Sequence, residues 1–455
     1  MEPTQSPAPA PSRTAKPSAK SLPLKPLDMA LSELLAHATV LAYREDISTF
    51  DADGRVLAQD LCSGLHVPPQ DNSSMDGYAM RSVDVPSAGT VLPISQRIPA
   101  GSVALPLQPG TVARIFTGAS IPVGADTVVM QEECEGLPEV DGVAQVRVNN
   151  VPVIGQWIRK AGEDVALGAV VLQKGERMTP ASLGLAASIG MARLPVVVRP
   201  RVALFSTGDE LVMPGDVAPQ DMPAGSIYNS NRYFLRVMLQ RLGCVVTDLG
   251  IVPDNLDATK EALSRAASDH DLILTSGGVS VGEEDHIKPA VQALGELNLW
   301  QIAIKPGKPF AYGKIGHAFR PEPVEGAEKA STSSARTDNF CHFIGLPGNP
   351  VSSFVTFLLL VRPFLLKLQG VQDVDHIAAK SMAMRADFTV AKADKRREFL
   401  RVKRNAKGGL DLFPNQSSGV LTSAVWGDGL VNNPAGQTIS HGDRVQYIAF
   451  ADLLS

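Results

Sequence analysis

The feature that most limits what this chain can fold into is a strand–helix alternation running through residues 201–366. Apolar strands are expected at Val202–Phe205, Val245–Ile251, Leu272–Thr275, Ile302–Ile304 and Phe343–Leu346. Helical stretches lie between them at about 230–242, 257–268 and 286–294, and another follows from Val351. Strands alternating with helices of this length predict a doubly wound α/β domain, with a mostly parallel sheet covered on both faces. Such sheets bind ligands outside the carboxyl ends of their strands. Here those ends run into Ser206-Thr207-Gly208-Asp209-Glu210, Pro253-Asp254, Ser276-Gly277-Gly278-Val279-Ser280-Val281-Gly282-Glu283-Glu284-Asp285, Lys305-Pro306-Gly307-Lys308-Pro309 and Pro347-Gly348-Asn349-Pro350-Val351-Ser352-Ser353. One such sequence is an ordinary turn; five on one rim point to a phosphate or oxyanion site.

Each rim element has a physical use. Gly277-Gly278 lets the backbone come close to a ligand and offers N–H groups to an oxyanion. Asn349 before Pro350 reads as an N-cap with Pro at the first helical position, so a helix N-terminus would face the same rim. Lys305 and Lys308 are point charges suited to a tetrahedral oxyanion. Asp209, Glu210, Asp254 and Asp285 are sensible beside an anion if Mg²⁺ bridges them to a phosphate. Gly278-Val279-Ser280-Val281-Gly282 also fits G-x-S-x-G between a strand and a helix, which keeps a serine-hydrolase alternative with Ser280 as nucleophile. That alternative needs one of the later histidines, His317, His342, His376 or His441, and leaves the lysines and carboxylates without a purpose. The chain contains no GxxxxGK[ST], GxGxxG or HExxH motif, so P-loop kinases, dinucleotide dehydrogenases and zincins drop out.

The other segments are weaker in pattern. A chain of 455 residues exceeds the roughly 250–300 that one core supports, so several domains are expected. Residues 1–26 are rich in Pro, Ala, Ser and Lys and read as a disordered tail with no secretory h-region. Structure is expected from Leu27, with Asp28 as N-cap of a helix whose apolar face is Leu31, Leu34, Leu35, Ala38, Leu41 and Ala42. Residues 27–55 and 150–200 are read as one discontinuous domain, interrupted by a β-rich insertion at 56–149 in which Val146 and Val148 alternate with Gln145 and Arg147. The α/β domain spans 201–373 and carries a patternless inserted loop at 316–340; a β-type module follows at 374–455.

Composition excludes further classes. The 42 basic residues against 47 acidic ones give a net charge of −5, which argues against a protein that coats nucleic acid. Cys62, Cys134, Cys244 and Cys341 are scattered and form no zinc-ligand spacing, as expected in a reducing compartment, with cytoplasm the default. The longest apolar run, Phe354–Leu366, is short for a membrane span and is broken by Arg362-Pro363.

An ordered set of motifs resembles the molybdopterin molybdenumtransferase family, which includes bacterial MoeA and the E domain of gephyrin. The residues are Pro69-Gln70-Asp71-Asn72-Ser73-Ser74-Met75-Asp76-Gly77-Tyr78-Ala79, Thr117-Gly118-Ala119, Gly162-Glu163-Asp164, the STGDEL at 206–211, the SGGVSVG at 276–282, the KPGKP at 305–309 and the LPGNPVSS at 346–353. The resemblance implies insertion of molybdate into adenylylated molybdopterin with Mg²⁺-dependent release of AMP. It also implies an N-terminal helical linker domain, an inserted β-domain, a molybdopterin-binding-type α/β domain and a C-terminal β-barrel. By the same resemblance the protein is a homodimer, its site shared between the α/β domain of one subunit and the β-domain of the other.

Residue by residue, the resemblance gives Asp76, Thr117, Asp164, Glu210, Asp254 and Asp285 to substrate and metal organisation, with Glu210, Asp254 and Asp285 as Mg²⁺ ligands. Ser276, Gly277, Gly278, Ser280 and Asn349 would contact substrate. Lys305, Lys308 and Ser352 would hold molybdate, joined by Arg397, Arg401 and Ser417 from the last module. A molybdopterin adenylyltransferase would supply the substrate. A non-catalytic molybdopterin-binding scaffold is the other reading of the same fold, and the acidic set argues against it.

Overall fold

The computed structural model describes residues 24–279, 286–316, 340–372, 374 and 381–454. Most of the expected N-terminal tail and inserted loop, with Ser280 and Asp285, lies outside these residues. The chain divides into two compact units: one combines residues 24–40, 199–368 and the C-terminal module, the other is 41–198 with 369–372.

The first unit is built on a seven-stranded sheet in the order Leu24–Lys25, Gly295–Ile302, Pro309–Gly316, Phe340–Leu346, Leu272–Ser276, Arg201–Thr207, Val245–Val252. The four strands from Phe340–Leu346 to Val245–Val252 are parallel. The inner three are almost entirely buried, as their apolar runs predict, while Val245–Val252 at the sheet edge is mostly half-buried. The remaining part departs from the parallel expectation. Gly295–Ile302 and Phe340–Leu346 each pair antiparallel with Pro309–Gly316. Two reversals restore the direction, so the end of Gly295–Ile302 still reaches the same rim. Helices Leu256–Asp269 and Ile287–Leu294 cover one face through Leu263, Ala266, Ala267, Ala290 and Val291. Asn255 caps the first of them, accepting from Ala258 N–H at 2.9 Å.

Helix Pro350–Leu368 is long and apolar enough to cross a membrane by length and composition, yet 89% of that stretch is buried inside the unit. It packs as a core helix, with Phe354 edge-on to Phe234 of helix Asn231–Arg241.

Two sequence expectations change here. Leu24–Lys25 is not tail: it adds a parallel edge strand beside Gln301 and Ile302. Helix Leu27–Ala36 belongs to this unit and not with residues 150–200, because Leu27, Leu31, Leu34 and Leu35 are buried here. Its N-cap is Pro26, so Asp28 sits inside the first turn, where its carboxylate accepts from Arg397 Nη1 at 3.0 Å.

The C-terminal module is a closed barrel. Strands Arg397–Arg404, Gly409–Leu412, Ser381–Ala386, Arg444–Ala449 and Gly429–Asn433 pair in that order, and the last returns to the first. Closure leaves no free edge in the ring, and Leu400, Val402, Leu410, Val431 and Tyr447 fill it. A two-residue strand, Ile304–Lys305, lies against it in parallel register with Arg397 and Glu398.

In the second unit, a six-stranded sheet (Thr127–Met130, Gly77–Met80, Val112–Ile115, Thr90–Ile98, Val143–Val148, Cys134–Val140) has an apolar core on each face. Val146 and Val148 are fully buried as their alternation requires. A smaller core beside it joins Leu57, Leu61, Leu172, Ala186, Leu194 and Val196. Helix Pro180–Ser188 starts there on a reciprocal Thr179–Ser182 capping box.

A buried aromatic cluster in the first unit makes stability depend on pH. His342 is 3% exposed, shares a hydrogen bond between its Nδ1 and the Tyr312 hydroxyl at 3.0 Å, and lies edge-on to Phe340 and Phe364. Burial, then the charges of Lys314 and His37, push its pKa down to about 3. The folded state therefore keeps it neutral, while the unfolded chain takes a proton near pH 6.5. Its contribution is full above that value and is lost on acidification, about 2 kcal/mol by pH 5. Denaturant midpoints across pH 5–7.5 should fall toward acid; a flat series would contradict this.

Candidate active site

The parallel strands of the first unit end in a cleft of about 780 Å³. It is lined by Thr207, Gly208 and Glu210 after the first strand, Asp254 after the second, Ser276, Gly277 and Gly278 after the third, and Gly348, Asn349 and Ser352 after Phe340–Leu346. Four of the five strand ends expected to converge thus meet in one concavity. The fifth contributes Pro309 of KPGKP. No histidine lines the cleft among the described residues; His342 is enclosed by aromatic rings, and Ser280, His317 and His376 of the hydrolase alternative lie outside the described residues.

The glycines are needed where they stand. Gly277 and Gly278 have φ of +98° and +68°, in the left-handed region that an L side chain enters at a cost. A Cβ on Gly278 would lie 2.5 Å from Ile287 Cγ1 and 3.0 Å from Thr207 Oγ1. A Cβ on Gly208 would collide with the Glu210 carboxylate, so the missing side chain makes room for that carboxylate at the rim. Glu210 and Asp254 bring two hard oxygen donors to one cleft, which suits Mg²⁺. No cluster of three or more His, Cys, Asp or Glu is present among the described residues.

Sequence reasoning missed the floor of the cleft. Tyr228, Asn229, Ser230 and Asn231 line it from the start of helix Asn231–Arg241. Asn231 Nδ2 donates to Ser276 Oγ and to Gly348 O, both at 2.7 Å, and so ties two strand-end loops together. Ser353 Oγ adds a bond to Pro347 O in the same buried group. The available signal was two asparagines and a serine directly before a helix, which reads equally well as ordinary capping.

Lys305 and Lys308 part company. Lys308 is exposed and has no ionic or hydrogen-bond partner for its ammonium among the described residues. Lys305 is engaged: its ammonium donates to Glu398 Oε1 at 3.0 Å and lies 3.3 Å from Asp394 Oδ2. The Glu398 hydrogen bond is the main cause holding its pKa above the usual lysine value. Neither lysine lines the cleft itself.

The expected barrel contacts are engaged as well. Arg397 is held by Asp28 and by Asn432 Oδ1 at 2.6 Å. Arg401 is 1% exposed and donates to Ser423 Oγ, Phe399 O and Ser417 O; burial lowers its pKa to about 10. It braces the loop carrying Ser417. That loop in turn meets the cleft, where Gly419 is a lining residue and Ser418 O accepts from Val351 N–H at 2.9 Å. The helix after Asn349 begins with Pro350 as expected, but Asn349 makes no side-chain cap and one early N–H is already used. Asn349 is thus the N-cap residue by position but not by side-chain bonding, and the helix start lies at the cleft through Asn349, Pro350 and Ser352.

In the second unit, Asp76 Oδ1 accepts from both the N–H and the hydroxyl of Thr117 at 2.8 Å. The backbone bond, then the hydroxyl, holds the carboxylate below its ordinary pKa. The two motif residues therefore form one ionised, oriented group. Asp164 is exposed on a different loop, anchored through its N–H to Val67 O at 3.0 Å.

Three family models match in order along the chain: "MoeA N-terminal region (domain I and II)" over residues 25–190, "Probable molybdopterin binding domain" over 203–367 and "MoeA C-terminal region (domain IV)" over 383–450. The chain belongs to the MoeA family. It is 41% identical over 345 residues to a molybdopterin molybdenumtransferase of Haemophilus influenzae, covering 76% of this chain and 78% of that protein. A molybdopterin molybdenumtransferase of Synechococcus elongatus is 33% identical over 420 residues, covering 90% and 95%. The crystal structure of a molybdopterin biosynthesis moeA protein from Pyrococcus horikoshii OT3 superimposes with a TM-score of 0.75 at 26% identity, over 93% of this chain and 99% of that one. The MoeA match covers the α/β unit, the β-rich unit and the barrel alike, so the ordered motifs belong to one architecture.

Proposed function

We propose that this MoeA-family chain is a molybdenum insertase of molybdenum cofactor biosynthesis, transferring molybdate into adenylylated molybdopterin with release of AMP. The observation that carries the reading is the cleft, where the Gly277-Gly278 turn, hydroxyl side chains and two carboxylates converge at the carboxyl ends of parallel strands. The names of its relatives support the same chemistry.

Gly278 would donate its backbone N–H to a phosphate oxygen of the adenylylated substrate, whereas the expected Gly277 N–H is already given to Leu346 O at 3.0 Å; Ser276 is oriented by Asn231 beside them. Glu210 and Asp254 would hold Mg²⁺, with Asp285 as a further ligand, and the ion would polarise the phosphate from which AMP departs. Lys308 and Ser352 would receive molybdate, a tetrahedral dianion, with Lys305 in reserve. Asp76 and Thr117, with Asp164 on its own loop, would complete the site from the second subunit of a homodimer. A molybdopterin adenylyltransferase would deliver the substrate. All four cysteines are free thiols, in keeping with a cytoplasmic enzyme.

The two lysines test the reading. Lys308→Ala is expected to lower kcat/KM for molybdate about 30-fold, the loss of a charge-assisted contact. Lys305→Ala is expected to cost less, because its charge is already shared with two carboxylates. Reconstitution of a molybdoenzyme from adenylylated molybdopterin and molybdate measures both. Parent-like activity in the double variant would refute the oxyanion role of KPGKP.

A further inference from the structure

We propose that Asp394 and Glu398 of the barrel set the oxyanion affinity of the KPGKP loop by competing for the Lys305 ammonium. The inference rests on the insertase reading of that loop and adds residues to it that no motif contains. Three observations carry it. First, the backbone is fixed: Lys305 and Glu398 are direct neighbours in the parallel pairing of Ile304–Lys305 with the barrel. Second, the side chain is not fixed to the same degree. It is 42% exposed, whereas those of Glu398 and Asp394 are 5% and 19% exposed, so the ammonium can leave while both carboxylates stay. Third, the carboxylates are anchored without it. Glu398 Oε2 accepts from Asn433 Nδ2 at 3.3 Å, and Asp394 is gripped by Arg396 through Oδ1 and Oδ2, each at 3.1 Å.

The charges sum simply. Lys305 and Arg396 balance Asp394 and Glu398, so the resting cluster is neutral and presents no net cation to an anion. Only Lys308 is then available. An arriving dianion gains the second lysine by drawing it from its carboxylates, which leaves Glu398 charged and nearly buried with Asn433 as its remaining partner. That cost lowers the affinity below what two free lysines would give. Asp394 and Glu398 are therefore affinity-setting residues that act through Lys305.

The test is calorimetric titration of sodium molybdate into the full-length protein at fixed ionic strength. The variants are Asp394→Asn, Glu398→Gln, Lys305→Met and the Asp394→Asn/Lys305→Met pair. Asp394→Asn keeps an Oδ1 acceptor for Arg396 and is expected to tighten molybdate binding roughly fivefold. Glu398→Gln should act in the same direction. In the Lys305→Met background the Asp394→Asn gain should vanish, a coupling that a general loss of negative charge would not produce. An unchanged Kd in both single carboxylate variants, or an equal gain with and without Lys305, overturns the proposal. Absence of any molybdate heat from the parent protein overturns the oxyanion reading itself.

Discussion

Glu210→Gln is expected to lower kcat for AMP release about 10²–10³-fold while leaving the fold intact. The substitution keeps the size and one carbonyl oxygen of the side chain but removes a formal charge from the cleft, where that charge would help hold Mg²⁺. Effects of this size follow when a preorganised electrostatic group is removed from a site that stabilises developing charge. Stability should change little, because Glu210 is exposed and its carboxylate rests over Gly208 without filling a core. The measurement is single-turnover AMP release against Mg²⁺ concentration. A rate within threefold of the parent, at an unchanged Mg²⁺ requirement, would remove Glu210 from the mechanism.

Gly77→Ala is expected to lower the melting temperature of the β-rich unit by about 6–12 °C. Strand Gly77–Met80 lies between Val112–Ile115 and Thr127–Met130, and a Cβ on Gly77 would drive into the backbone carbonyl of Val129. The obstacle is ladder backbone, which cannot rotate aside, so the strands must part. Gly77 O also accepts from Arg114 Nη1 at 2.8 Å, and Asp76 is its neighbour, so the displacement would reach the Asp76–Thr117 pair. Overpacking of this kind costs about 3 kcal/mol, and a unit of this size loses about 2–4 °C per kcal/mol. Calorimetry would check the shift; a melting temperature within 2 °C of the parent would show that the ladder yields more easily than its geometry indicates.

Much of the architecture was legible because its signals are local. The central strands announced themselves as continuous apolar runs, and the helices between them lie within a residue or two of their periodic stretches. The strand-end motifs that line the cleft were readable for the same reason: direction along the chain tells which end of a parallel strand carries the ligand. Misreadings arose where partners are distant in sequence. Leu24–Lys25 is a strand only because Gln301 and Ile302 offer an edge. The KPGKP segment reads as two free lysines until Glu398, 93 residues later, is brought alongside. The partners of Arg397 and Arg401, Asn432 and Asp28 for one and Ser423 for the other, are likewise brought alongside only by the fold.

By itself, the sequence determined the α/β class, the rim whose strand ends line the cleft and the resemblance that the family match bears out. Those properties follow from apolar periodicity and from short motifs, both encoded in neighbouring residues. Only the tertiary structure decided which charges are available. A lysine or arginine is a cation wherever it occurs, but whether it meets a ligand or a carboxylate depends on non-local pairing. Lys308 and Lys305 are three residues apart and chemically identical; strand pairing with the barrel leaves one exposed and sets the other between two acids.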